Sequence, residues 1–541
     1  MNKSINIKNW LTLSISLSVL YCTVTLADII YVDTSATGAN NGSAWADAYN
    51  YLQDALHDPT LTYGDEIHVA QGIYKPDSNS VVPNGNDDRE AAFRLINGVV
   101  IKGGYAGYNA PDPDARDIET YETILSGEIG TLNDPNDNCY HVFYHPGGIN
   151  LDDTAVLDGF TITGGNANDQ LDPHNRGGGM LNYQSSPMII RCTFRDNRAI
   201  YGGGMFNSNS SPLLIHDTFI LNSVVLYGSG MYNLDNSNPI LTHCIFKFNS
   251  AVAGGGISSA YSDPKVTNCT FIGNSVDDLG GGMCSGSSSP TVSNCIFNAN
   301  TAYKGGGIYN FWSCDVNVTN CTFSGNQATY GNTMAFEKWL QEGDPSNVQI
   351  INSILWDGEN EIWNDDGSTI RITYSDVQGG WSGSGSVGII ADDPCFVLNP
   401  SDGGDGWGDN LSTPGIDEGA NDDYGDLHLL PYSPCIDYGD PNAIHDQNAT
   451  DLENRPRFLD GNCDGQSILD MGAYEFTFAD FGDIDHSCDI DLFDFTLFAQ
   501  AWQTDKNKLT WNYLCDLARP VDGFIDYKDL RILCKNWLAG K

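Results

Sequence analysis

Hydrophobic and polar positions alternate in short runs along the middle of the chain, as in "PMIIRCTF", "PLLIHDTF" and "PTVSNCIF". A period of two over so few residues predicts strands and not helices. The runs also repeat. Glycine triplets begin at Gly177, Gly202, Gly228 (Ser229 is its middle residue), Gly254, Gly280 and Gly305, spaced by 25, 26, 26, 26 and 25 residues. Phe194, Phe219, Phe246, Phe271, Phe297 and Phe323 keep the same register. Three residues after each Phe stand Asn197, Asn222, Asn249, Asn274, Asn300 and Asn326, and two further on Ala199, Val224, Ala251, Val276, Ala302 and Ala328.

A fixed period of this length, without helical spacing, predicts a solenoid. Each unit has room for about three strands and three turns. Parallel stacking would put equivalent residues roughly 4.8 Å apart. Phe would then fill the core, Asn would form a hydrogen-bonded ladder at a turn, and glycine would allow positive φ and close approach of coils. The expected fold is all-β, a single-stranded right-handed parallel β-helix. Cys192, Cys244, Cys269, Cys295 and Cys321 form a further column two residues before the Phe, with Asp217 substituting once. These thiols read as small buried side chains beside the Phe; disulfides or a metal are the functional alternatives. His216 and Asp217 break the column and read as an outward or hydrated position.

The phrases "GGG-x-x-N", "SP" and "C-x-F-x-x-N-x-A" resemble secreted parallel β-helix proteins of the pectin-lyase-like superfamily. "IIYVDTSATGANNGSAWADAYNYLQDAL" and "GDEIHVAQGIYKP" look like that group's opening, and "FRLINGVVIKGGYAGY", "TILSGEIG" and "AVLDGFTITGGNA" like its first coils. "ITYSDVQGG", "ADDPCFV", "YSPCIDYGD" and "DGQSILDMGAYEF" resemble its C-terminal cap. The resemblance covers roughly residues 28–476. It implies a fold that carries lyases, hydrolases, adhesins and surface repeats alike.

Composition narrows the partners. There are 70 acidic against 25 basic residues, a formal charge of −45. That field excludes nucleic acid and repels an anionic polysaccharide unless calcium bridges the two. The start of the chain has two lysines, then an apolar run rich in Ser and Thr, then Thr25-Leu26-Ala27. This pattern predicts a signal peptide over residues 1–27 and a secreted or cell-surface protein without a transmembrane segment.

Catalytic chemistry is not written as a linear motif. Asp152-Asp153 and Asp277-Asp278 are paired acids, and Arg176, Arg191, Arg198, Lys265 and Lys304 are scattered bases. Neither a "GHG" nor an "RIK" segment accompanies them. Because coils bring distant residues together, the question of catalysis stays open.

Beyond Thr477 the glycine rhythm stops. "GDIDHSCDIDLFDFTLFAQAW" and "VDGFIDYKDLRILCKNWL" align at an offset of 35 residues, each an acidic loop leading into an amphipathic helix. The first loop places Asp483, Asp485, Ser487, Asp491 and Asp494 at positions 1, 3, 5, 9 and 12, with Asp489 at position 7. That is the EF-hand spacing, which aims hard oxygens at one Ca²⁺. In the second loop Asp522, Asp526 and Asp529 match positions 5, 9 and 12. Position 1 falls on Ala518, or on Asp516 if the loop is two residues longer. The pair resembles a type I dockerin, a small calcium-folded module of EF-hand-like helices. The resemblance implies a cohesin-like protein partner and a recognition surface near Leu492-Phe493 and Tyr527-Lys528. "DGNCDG" at Asp460–Gly465 is a third, incomplete loop. Cys395 with Cys435, and Cys488 with Cys515, are plausible disulfides in an exported protein.

The expected organisation is a signal peptide (1–27), a β-helix (28–390), a cap (391–476) and a dockerin-like module (477–541). The expected function is binding of extracellular polysaccharide or cell-surface matrix; the alternative is a polysaccharide lyase or glycoside hydrolase.

Overall fold

The computed structural model describes residues 27–337, 344–404, 406–407, 421–443, 449–477, 481–485, 487, 490–506, 508, 510–512, 515–518 and 523–536. Residues 1–26 of the predicted signal peptide, Asp489, Asp522 and Cys488 lie outside these residues.

Successive strands pair in parallel one coil apart and build four long sheets. Sheet A has 12 strands, from Ile29–Val32 to Thr369–Thr373, and sheet B has 11, from Gly72–Tyr74 to Asp376–Val377. Sheet C has nine, from Phe143–His145 to Ile362–Asn364, and sheet D seven, from Asn166–Ala167 to Gln327–Tyr330. Each glycine-triplet coil runs C, A, B, D, so it holds four strands where three were expected. The added strand lies between the Asn column and the glycine triplet, as in Arg198–Tyr201.

The columns stack as the repeat predicts. Phe194, Phe219, Phe246, Phe271, Phe297 and Phe323 are buried, with ring centroids 4.6–5.0 Å apart and planes within 7° of parallel. Opposite them lie Met180, Met205, Met231, Ile257, Met283, Ile308 and Met334, and the inner residues of sheet A from Leu157 to Ile372. The Asn side chains form a continuous ladder. Asn197 Nδ2 donates to Asn222 Oδ1 at 3.2 Å, and the pattern continues to Asn300 and Asn326 at 2.8 Å. Each amide also donates to a backbone carbonyl of the preceding coil, as Asn222 does to Phe194 at 2.9 Å. Satisfied in this way, a buried amide stabilises the turn instead of costing desolvation.

Two glycine roles separate within a triplet. At Gly202 φ is +64°, which turns the chain from sheet D into sheet C. At Gly204 a Cβ would sit 2.6 Å from Gly230 O and 2.7 Å from the Phe219 ring, so only hydrogen fits between coils.

The Cys column is buried and its thiols are free. It is also a hydrogen-bond ladder: Cys244 N–H donates to Cys269 Sγ at 3.3 Å, and Cys269 and Cys295 repeat the contact at 3.4 Å. Asp217 corrects its expected outward placement. It is fully buried and serves as a rung, its Oδ1 accepting the Cys192 N–H at 2.7 Å and its Oδ2 the Ile215 N–H at 3.1 Å. Burial pushes its carboxyl well above the usual range. His216 is the exposed residue of the pair. It occupies the left-handed position of the turn between sheets A and B (φ +59°) and stacks on His243 at 4.7 Å.

The described residues of segment 391–476 pack against the outer face of sheet B. Phe396, Leu427, Leu429, Ile436 and Met471 pack against Ile296 and Ile354, apolar residues that the strand alternation turns outward there. A buried Arg457–Glu475 pair at 3.6 Å fixes this segment. Cys395, Cys435 and Cys515 are free thiols, so the two anticipated disulfides do not form; Cys463 is the disulfide-bonded cysteine of this segment.

Candidate functional site

The glycine triplets turn the chain so that the outer residues of sheets C and D face each other across a concave corner running along the helix axis. On the sheet D side the row is Arg176, Tyr201, Tyr227, Ala253, Leu279, Lys304 and Tyr330. On the sheet C side it is Tyr144, Leu181, Phe206, Tyr232, Ser258, Cys284, Tyr309, Ala335 and Trp363. The rows touch: Tyr201 and Tyr232 rings lie 6.0 Å apart, Tyr227 and Tyr232 6.1 Å, and Tyr330 and Trp363 5.0 Å. Ala253, Leu279 and Cys284 close the bottom, while Tyr201, Tyr227, Tyr232, Tyr330 and Trp363 are half-buried and keep part of each ring at the surface.

Polar groups gather at both ends. At one end Arg176 donates to Tyr183 Oη at 3.2 Å, pairs with Asp172 at 3.3 Å and lies 4.9 Å over the Phe206 ring; Tyr183 in turn hydrogen-bonds Asp172. At the other end Lys304 Nζ meets Glu337 Oε2 at 2.5 Å, and the buried Tyr309 hydroxyl donates to the same oxygen at 2.9 Å. Asp278 belongs to this end, within electrostatic range of Tyr227, Cys284, Tyr309, Lys304 and Glu337. Burial raises its carboxyl above the usual range, against the opposing pull of Lys304.

Of the acids and bases singled out in the sequence, the corner therefore collects Arg176, Asp278 and Lys304. The others are elsewhere. Arg191 is a fork on the buried Asp158 (2.6 and 2.8 Å), and Asp152, Asp153, Arg198, Lys265 and Asp277 are exposed. Sequence reading missed the aromatics and Glu337. The signal was present: Tyr201, Tyr227, Lys304 and Tyr330 each immediately precede a glycine of the turn into sheet C.

A second candidate site is the C-terminal pair of acidic loops. Ligand atoms of Asp483, Asp485 and Asp494 lie within 4.8 Å of one another, a span two oxygens of one Ca²⁺ can bridge at 2.3–2.6 Å each. Ser487 N–H donates to Asp483 (2.9 Å) and Asp485 (3.0 Å), which curls the loop around them. Asp491 and Asp526 cap the helices Leu492–Ala501 and Tyr527–Lys535 with φ of −136° and −137°, each with a reciprocal bond to the Asp three residues on.

The loop closures also match, and they decide the register of the second loop. Asp494 Oδ1 accepts the N–H groups of Ile484 and Asp485, at 2.6 and 3.2 Å; Asp529 Oδ1 accepts those of Leu517 and Ala518, at 2.7 and 2.8 Å. Leu517 is therefore the counterpart of Ile484, and Asp516, not Ala518, the counterpart of Asp483. Asp516 Oδ2 accepts the Gly523 N–H at 2.8 Å, closing the longer loop. The "DGNCDG" loop is an exposed turn in which Asp460 accepts the Asp464 and Gly465 N–H groups.

The family model "Right handed beta helix region" matches residues 137–297. No curated protein matches the chain. Among solved structures, pectate lyase Pel9A aligns at 11% identity over 84% of this chain and 98% of its own, with a TM-score of 0.47. A rhamnogalacturonan lyase aligns at 12% identity over 68% and 85%, with a TM-score of 0.34. The chain is a parallel β-helix. Among the described residues no helix is long and apolar enough to cross a membrane.

Proposed function

We propose that this is an extracellular polysaccharide-binding β-helix, held to a partner by a calcium-organised C-terminal module. The observation that carries the first half is the double aromatic row of the C/D corner. Partly exposed rings line up along the helix axis, where a linear ligand can lie against several coils at once. Aromatic faces present apolar area with few rotamers to freeze, and the Tyr hydroxyls add hydrogen bonds. From Tyr227 to Tyr330 is four strand steps, roughly 19 Å at the usual strand spacing. That length suits several linked sugars.

The second half rests on the duplicated loops. Asp483, Asp485, Ser487 and Asp494 would hold one Ca²⁺, and Asp516 and Asp529 would contribute to a second. The ion supplies charge neutralisation for buried carboxylates and so ties folding of the module to calcium. Leu492, Phe493 and Tyr527 are 67%, 72% and 71% exposed in the first turns of the two helices, an apolar surface suited to a cohesin-like protein partner. Residues 1–27 would direct export.

Affinity electrophoresis in gels containing polysaccharide tests the reading. Retardation of the wild type that is lost in Tyr201→Ala/Tyr232→Ala supports it; equal retardation of both overturns the assignment to the corner.

A further inference from the structure

We propose that the Asp460–Gly465 loop is a third calcium site, completed by Asp437 from an earlier stretch of the same segment. It is separate from the two loops of the last module and does not depend on them.

In sequence the loop offers Asp460, Asn462 and Asp464 at positions 1, 3 and 5 and Gly465 at position 6, with no acid at 9 or 12. The fold brings that acid from elsewhere. Asp437, 25 residues before Asn462, turns its carboxylate onto the loop. Its Oδ2 accepts the Asn462 N–H at 2.6 Å, and a Cβ at Gly461 would sit 3.6 Å from the same oxygen. The N–H at position 3 is the one that the closing carboxylates of the last module also take. Asp494 Oδ1 accepts it from Asp485 at 3.2 Å, and Asp529 Oδ1 from Ala518 at 2.8 Å. Asp437 thus stands where position 12 stands in a continuous loop.

The curl of the loop matches as well. Asp464 N–H donates to Asp460 Oδ1 and Asn462 Oδ1, both at 3.0 Å, as Ser487 N–H donates to Asp483 Oδ1 and Asp485 Oδ1 at 2.9 and 3.0 Å. Gly465 has a φ of +88°, the sharp turn that position 6 of such a loop requires.

The feature that asks for a cation is the second oxygen of Asp437. The residue is 7% exposed, and Oδ1 is buried and accepts no hydrogen bond among the described residues. An unmet carboxylate oxygen in a protein interior is costly. Its sister oxygen already touches a loop that carries two more carboxylates, and a divalent cation between them offsets both the desolvation and the mutual repulsion. Asp437, Asp460, Asp464 and the Asn462 amide oxygen give four hard donors, and water fills the remaining places of a six- to eight-coordinate Ca²⁺.

The position gives the ion a structural role. Asp437 N–H donates to Asp470 Oδ1 at 2.7 Å, and Ile436, Met471 and Phe476 belong to the apolar contact with sheet B. An ion held between Asp437 and the loop fastens the stretch that makes this contact.

The test uses the full chain, stripped with chelator, and calcium alone as the probe. Asp494→Ala with Asp529→Ala silences the loops of the last module. Dialysis against about 5 mM Ca²⁺, above the range of extracellular sites, should leave this background with one bound ion per chain. Adding Asp437→Asn and Asp464→Asn should remove it; Asp437→Asn keeps an oxygen for the Asn462 N–H, and equal thermal unfolding in chelator shows the fold intact. Asp464→Asn alone, in the exposed turn, should weaken binding about tenfold or more. Calcium should also slow amide exchange over residues 459–471 of the background protein and leave the quadruple variant unaffected. A background chain that holds no calcium overturns the proposal. So does an ion count unchanged by the two added substitutions, or slowed exchange confined to other segments.

Discussion

Asp357 takes the place of the next asparagine at the end of the Asn ladder: its Oδ1 accepts the backbone N–H of Asn326 at 2.8 Å and the side-chain amide at 3.0 Å. An asparagine there would turn an NH₂ group onward. Asp357 instead turns Oδ2 toward the Thr333 hydroxyl at 2.7 Å, and the same hydroxyl contacts Glu361. One hydroxyl proton cannot serve two carboxylates, so the arrangement favours a protonated acid. Burial pushes Asp357 up to about 7, and burial with the neighbouring Asp357 holds Glu361 well above the usual carboxylate range.

The sign of the pH effect follows. Both acids titrate near 4 in the unfolded chain, so the stability tied to this pair is complete below that pH and is lost as pH rises toward 7 and above. Asp357→Asn should flatten the profile and raise stability at pH 8 by at least ~1 kcal/mol. Urea unfolding at pH 5 and pH 8 checks this; equal pH dependence in wild type and variant contradicts it.

Asp217 provides a second, independent case. Asp217→Ala leaves the Cys192 and Ile215 N–H groups without their buried acceptor, which should cost about 1–3 kcal/mol for each group left unmet. Asp217→Cys restores the column and should recover part of that loss. Thermal unfolding of the two variants decides it, and an Ala variant as stable as the Cys variant would contradict the ladder role.

Calcium should act on the last module and leave the β-helix unchanged. Adding Ca²⁺ to chelated protein should increase helical circular dichroism. Asp494→Ala with Asp529→Ala should abolish the increase, because these two carboxylates close both loops onto their helices. A wild type that shows no increase contradicts the assignment.

The free thiols give a chemical check. A thiol reagent should modify the exposed Cys534 first and the half-buried Cys395 next, while Cys244, Cys269, Cys295 and Cys321 react only on unfolding. Absence of titratable Cys395 and Cys435 after denaturation would restore the disulfide the structure lacks.

The solenoid was legible because its columns repeat. Phe, Asn and glycine must recur for equivalent atoms to stack, so the fold is written in the period. The fourth strand of each coil was hidden, since its residues face the corner and vary: Tyr227, Ala253, Leu279 and Lys304 share a row without sharing a type. The corner itself was unreadable for the same reason. Lys304 and Glu337 are far apart along the chain, and only the stacking of coils brings them into contact. Asp217 was misplaced because a polar break in an apolar column suggests an exposed site. A buried carboxylate fits there because the backbone N–H groups it faces need an acceptor. The two acidic loops and the helices that follow them were readable from local spacing. The register of the second loop needed the closure at Leu517 and Ala518.

The most direct measurement is oxidative footprinting of tyrosine and tryptophan with and without a retarded polysaccharide, read by mass spectrometry. The account predicts protection of Tyr201, Tyr227, Tyr232, Tyr330 and Trp363, with the exposed Tyr63 and Tyr261, 75% and 56% accessible and outside the corner, unchanged. Protection confined to other faces, with the corner aromatics as reactive as before, would contradict it.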